Sequence, residues 1–143
     1  MIGTMASASD ARPPVEAALR VLLVEDEALI AELFAETLSA EGHDVVVAGD
    51  GQEALRLFAA AEATGRSFDI VVTDVRMPRM DGVTLTNRLR KAHPDLPVVL
   101  ITGYATTDQL AALARRENRD VMVLPKPVDL SRLCTAVRTV TRH

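Results

Sequence analysis

Four places in this chain set a reactive side chain directly after an apolar run. Val71-Val72-Thr73 ends in Asp74, and a turn through Pro78 and Gly82 follows. Leu22-Leu23-Val24 ends in Glu25-Asp26, the run to Ile101 ends in Thr102-Gly103, and Val121-Met122-Val123-Leu124-Pro125 ends in Lys126. An apolar run that stops at a carboxylate is how a buried strand brings an acid to the edge of a sheet, where ligands collect. Three acids and a lysine at strand ends describe a magnesium site beside a carboxylate able to accept a phosphoryl group. Clustered carboxylates repel one another, so a cation is needed to hold them. Magnesium suits, because it takes oxygen ligands, keeps several waters and works with one or two carboxylates plus phosphate oxygens. Only Lys91 and Lys126 are lysines, against fourteen arginines. A compact ammonium at position 126 therefore reads as a point contact for phosphate rather than as general surface charge.

These residues need a scaffold, and the spacing of apolar residues supplies one. Short β-branched runs at Arg20–Val24, Val45–Ala48, Ile70–Thr73, Val98–Ile101 and Val121–Leu124 predict strands buried on both faces. Helical spacing lies between them. Ile30, Leu33, Phe34 and Leu38 mark one helix, closed at Gly42, and Leu55, Phe58 and Ala59 a second. Val83, Leu85 and Leu89 mark a third, closed before Pro94, and Leu110, Leu113 and Ala114 a fourth. Leu130, Leu133, Val137 and Val140 mark a fifth, with Asp129 or Ser131 as its cap. Strand–helix repeats of this kind predict an α/β fold: a doubly wound, five-stranded parallel sheet flanked by five helices, with right-handed crossovers.

Glu25-Asp26, Asp74, Met77-Pro78 with Asp81-Gly82, Thr102-Gly103 and Lys126-Pro127 fall in the order and spacing of a known family. The chain resembles a response-regulator receiver domain of two-component signalling, from about Leu19 to the C-terminus. The resemblance implies strand order 2-1-3-4-5, a flavodoxin-like fold and a cis Lys126-Pro127 bond. It implies Asp74 as phosphoacceptor, with Thr102 and Lys126 assisting. Magnesium would be held directly by Asp26 and Asp74, through water by Glu25, and by the backbone carbonyl of Arg76. Such a domain is a phosphorelay acceptor, not an enzyme beyond its own phosphotransfer and slow dephosphorylation. Its partners would be a sensor histidine kinase or histidine phosphotransfer protein and a downstream protein target, and it would be a monomer or a weak phosphorylation-dependent dimer. The family usually carries an aromatic residue three before the lysine. Here that position is Val123, and Tyr104 stands two after Thr102, so the signal is expected to pass through Tyr104 and residues 105–118.

Composition bounds the alternatives. The chain has 143 residues with a formal net charge of -4, enough for one domain with a real core and without the basic runs that mark a direct nucleic-acid partner. Residues 1–18 are small, polar and proline-containing, and read as a flexible tail before a domain at 19–143. Lone Cys134 excludes an internal disulfide, fits a cytoplasmic setting, and sits where a core residue is expected. No stretch is long and apolar enough to span a bilayer. With no output domain after the last helix, action by contact is expected, either as a stand-alone regulator or as a receiver excised from a hybrid kinase. Gly49, Gly51 and Ala54 fit a dinucleotide fingerprint, but that reading leaves Glu25-Asp26 and Lys126-Pro127 without a purpose. A phosphatase with an aspartate nucleophile would want a second acid two after Asp74, where Arg76 stands.

Overall fold

The computed structural model describes residues 18–103 and 120–141. The strands are β1 (Arg20–Val24), β2 (Asp44–Ala48), β3 (Ile70–Asp74), β4 (Val98–Thr102) and β5 (Val121–Pro125). The helices among the described residues are α1 (Ala28–Ala40), α2 (Gly51–Ala63), α3 (Gly82–Ala92) and α4 (Leu130–Val140). One parallel sheet forms in the order β2-β1-β3-β4-β5, as expected. The helix expected around Leu110, Tyr104, and the expected tail up to residue 17 lie outside the described residues.

Alternation along the strands divides the core in two. Leu22, Val24, Val71, Val98 and Leu100 point to one face, where Ala54 and Phe58 of α2 and Leu85 and Leu89 of α3 cover them. Val21, Leu23, Ile70, Val72, Val99 and Ile101 point to the other, under Phe34 and Leu38 of α1 and Leu133, Val137 and Val140 of α4. All five residues of β3 and of β4 are buried, because both strands are covered on both faces. Two helix-spacing expectations need correction. Leu33 does not join Phe34 in the core but is 46% exposed, and Ala59 is exposed while Ala54 and Ala61 carry the buried stripe of α2. Neighbouring residues on a helix are about 100° apart, so both apolar neighbours of a core position cannot face inward.

The strands also run one residue past several expected ends. Asp74, Thr102 and Pro125 lie within their strands, and Asp44 opens β2. Parallel register pairs Asp74 with Ile101 and Thr102 with Pro125. Asp74 and Thr102 therefore stand on backbone that is still part of the sheet, which fixes them more firmly than a loop does.

Candidate functional site

The site forms at the carboxyl ends of β1, β3, β4 and β5. Asp74 is 4% exposed, and its Oδ2 accepts a hydrogen bond of 2.9 Å from Lys126 Nζ. Its Oδ1 faces the Arg76 N–H at 3.4 Å. Carboxylate oxygens of Glu25, Asp26 and Asp74 all lie within 4.8 Å of one another. Thr102 is buried at the end of β4, and its carbonyl accepts the Lys126 N–H at 2.8 Å. The Lys126–Pro127 bond is cis, as the resemblance implied.

Neither acid after β1 caps α1. The N-cap is Glu27, with no side-chain cap bond, and Glu25 Oε2 instead accepts the Glu27 N–H at 3.1 Å. Glu25 is buried, Asp26 exposed. Burial pushes the Glu25 carboxyl up to about 7. The Glu27 amide and Lys126 pull the other way, and the charges of Asp74 and Asp26 add to the rise. Burial alone would lower the Lys126 ammonium, yet its hydrogen bond to Asp74 and the charges of Asp74, Glu25 and Glu27 leave it raised. The site is thus short of positive charge: one ammonium faces three carboxylates. Hard oxygen donors in excess of cationic partners fit a divalent ion, and the residues present fit magnesium.

The turn after β3 is built against the start of α3. Gly82 N–H donates to the Val75 carbonyl at 2.8 Å, and a Cβ at Gly82 would collide with the Asp74 carbonyl. Asp81 caps α3 by accepting the Thr84 N–H at 2.8 Å. Only glycine permits this approach of helix to strand. Gly82→Ala should therefore lower the melting temperature by roughly 5–10 °C, the scale of forced overpacking. Thermal unfolding followed by circular dichroism checks it, and an unchanged midpoint would mean that the turn yields freely.

The sequence matches the response regulator receiver domain family over residues 21–138. The chain belongs to that family. As a receiver domain of a two-component system, it is 42% identical over 120 residues to the sensor kinase CckA of Brucella abortus, covering 82% of this chain and 12% of that protein. It is also 42% identical over 114 residues to a response regulator receiver protein of Anaeromyxobacter, covering 80% of this chain and 45% of that one. The chain thus spans less than half the length of either curated relative. Among solved structures, the receiver domain of an HD domain-containing protein from Pseudomonas fluorescens superposes with a TM-score of 0.76 at 30% identity, covering 88% of this chain and 96% of that one.

At the start of α2 one feature was legible in the sequence and one was not. Gly49-Asp50-Gly51 is not a nucleotide cradle. Asp50 is the N-cap of α2, and the space beside Gly51 is filled by Met80. Arg79 from the β3–α3 loop reaches that same cap, with Nη2 2.9 Å from Asp50 Oδ2. The capping pattern Asp50-x-x-Glu53 was a readable signal for the first, but nothing in the sequence marked the second. Val123 is half-buried against the α2/α3 side of the core, and among the described helices none is long and apolar enough to cross a membrane.

Proposed function

We propose that this domain accepts a phosphoryl group on Asp74 from a phosphohistidine of a kinase or transfer protein, and signals through altered protein contacts. The observation that carries this reading is the Asp74 carboxylate, buried, held by Lys126 at 2.9 Å, and within 4.8 Å of two further acids. In the transfer the donor's P–N bond breaks as a carboxylate oxygen of Asp74 forms a new P–O bond, giving an acyl phosphate. Catalysis of such a step is mostly positioning and charge neutralisation. Lys126 supplies a point charge on one side, and the Arg76 amide orients the carboxylate. The Thr102 hydroxyl, at the end of the neighbouring strand, is the hydrogen-bond donor for the new phosphoryl oxygens. Asp26, Asp74, Glu25 and the Arg76 carbonyl would hold magnesium, which when bound offsets the negative charge of the entering phosphoryl oxygens. In this reading the domain is an acceptor with slow self-dephosphorylation rather than an enzyme acting on outside substrates. Regulators acting alone and receivers within larger kinases share this chemistry; the likeness to a small part of a sensor kinase supports the second setting as much as the first.

The test is incubation with magnesium and acetyl phosphate, followed by reductive trapping and peptide mapping. One phosphoryl group on the intact chain, and homoserine in place of Asp74 in the reduced peptide, are expected. A label elsewhere, or none with any phosphodonor, would overturn the reading.

The exposed face of α1, which follows the acids after β1, suits an apolar contact with the phosphodonor protein. Leu29 is 80% exposed in the first turn of α1 and Leu33, one turn on, is 46% exposed, next to the acids that end β1. Exposed leucines at i and i+4 form an apolar stripe, with the phosphoacceptor at one end. Leu29→Arg should slow transfer from a histidine-bearing partner by roughly tenfold while leaving labelling by acetyl phosphate unchanged, on the scale of one lost apolar anchor. Equal slowing with both donors would place Leu29 in the chemistry instead.

A further inference from the structure

Resting on the reading above, we infer that Arg79 and Asp50 are positioning residues of the phosphoacceptor site: their ion pair clamps the loop after β3 to the start of α2. The anchor is rigid. Asp50 Oδ1 accepts the Glu53 N–H at 2.8 Å, and Glu53 Oε1 accepts the Gly49 N–H at 2.8 Å, a reciprocal cap that fixes both side chains. The second Asp50 oxygen remains for Arg79, at 2.9 Å. Acceptance of the Glu53 amide and then of the Arg79 guanidinium holds the Asp50 carboxyl below its usual range, so the partner is an anion at neutral pH.

Arg79 is held in an unusual way to reach it. Its φ is +72°, the left-handed region that disfavours side chains other than Gly, Asn and Asp. The Met80 N–H donates to the Pro78 carbonyl across it, at 2.7 Å. This tight turn accompanies a second seat on the same helix end. Met80 is buried, and a Cβ at Gly51 would stand 3.0 Å from its Cβ and Sδ. Two successive loop residues thus rest on the N-cap and the first residue of α2. At its other end the loop is fixed by the Gly82–Val75 hydrogen bond. Between these fixed points lies Arg76, whose amide faces Asp74 and whose carbonyl is the expected metal ligand.

The clamp is not a stability device. The Arg79 side chain is 65% exposed, and ion pairs of that kind add little to folding free energy. Its effect should instead be local, on the order of the loop that carries Arg76.

Asparagine isolates this effect at both positions. It caps a helix as well as aspartate and tolerates the left-handed conformation, so Asp50→Asn and Arg79→Asn each remove the ion pair while keeping the cap and the turn. Amide hydrogen exchange of the metal-free protein should speed up at Met80 and Gly82 by about three- to tenfold in either variant, with Phe58 in α2 unchanged and the melting temperature within about 2 °C of wild type. Magnesium affinity should fall by about two- to fivefold in each, and the double variant should match the singles, because the two residues act as one unit. Added salt should move wild-type loop exchange toward that of the variants. Unchanged loop exchange in both single variants would overturn the clamp whatever the wild type does with phosphate, as would additive losses in the double variant. A wild-type chain that binds no magnesium and takes no phosphoryl group would overturn the site reading instead, and it would do so without disturbing the exchange result.

Discussion

Asp74→Asn should abolish phosphoryl uptake. The substitution keeps the shape of the side chain but removes the anionic oxygen that attacks phosphorus, and an amide is no substitute nucleophile. The fold should survive it. Asp74 stands on the last residue of β3, and its backbone pairing with Ile101 does not depend on the side chain. Two electrostatic effects oppose each other: Glu25 and Asp26 lose a repelling neighbour, while Lys126 loses its counter-charge and keeps only a neutral amide oxygen as hydrogen-bond acceptor. A buried charge deprived of its partner costs more than a screened repulsion saves, but Lys126 is only part-buried, so the net change in melting temperature should be a few degrees at most. Intact mass after exposure to acetyl phosphate reads the result directly. Label appearing in the variant at the wild-type rate, on any residue, would remove Asp74 from the centre of the chemistry.

The second large effect concerns the cation. Saturating magnesium should raise the melting temperature of the wild type. Occupancy at one hundred times the dissociation constant adds about 2.7 kcal/mol, or roughly 8–10 °C for a domain of this size. Glu25→Gln should separate the cost of the acidic cluster from the benefit of its ion. The buried Glu25 carboxyl titrates at about 7 in the fold against an ordinary 4.5. The folded state therefore holds this proton more tightly than the unfolded chain does. Its contribution to stability is present in acid and is lost as pH rises through 7. Glutamine carries no charge and can still accept the Glu27 N–H, so at pH 8 without metal the variant should be more stable than wild type, by about 1–3 kcal/mol. Its gain from magnesium should be smaller. A magnesium-independent midpoint in the wild type, or a metal-free variant less stable than wild type, would show that the acids are not a strained, cation-seeking set.

The sequence carried the fold further than it carried the detail of the site. Buried parallel strands announce themselves as continuous apolar runs, and β1, β3, β4 and β5 were legible for that reason. The ends of β1 were legible too, but those of β3, β4 and β5 were not, because backbone pairing continues through Asp74, Thr102 and Pro125 regardless of side-chain type. Asp74, Lys126 and the acids after β1 were legible because each interrupts an apolar run at the same end of the sheet. Leu33 was misplaced because helical spacing alone does not say which of two adjacent apolar residues faces the core. The Arg79–Asp50 contact was invisible for another reason: its partners lie on separate elements, and an exposed arginine in a loop looks like any other. The expected switch through Tyr104 falls outside the described residues.

The glycine that closes the turn after β3 also sets a direction. On the α3 side, Asp74 is backed by main chain against main chain, with Gly82 against the Asp74 carbonyl and bonded to Val75. On the β5 side it meets the end of one long, half-exposed lysine side chain. The first wall is stiff and the second compliant. Were the phosphoryl transfer proposed above to take place on Asp74, the backbone behind that residue would hold its place while the Lys126 side chain gave way.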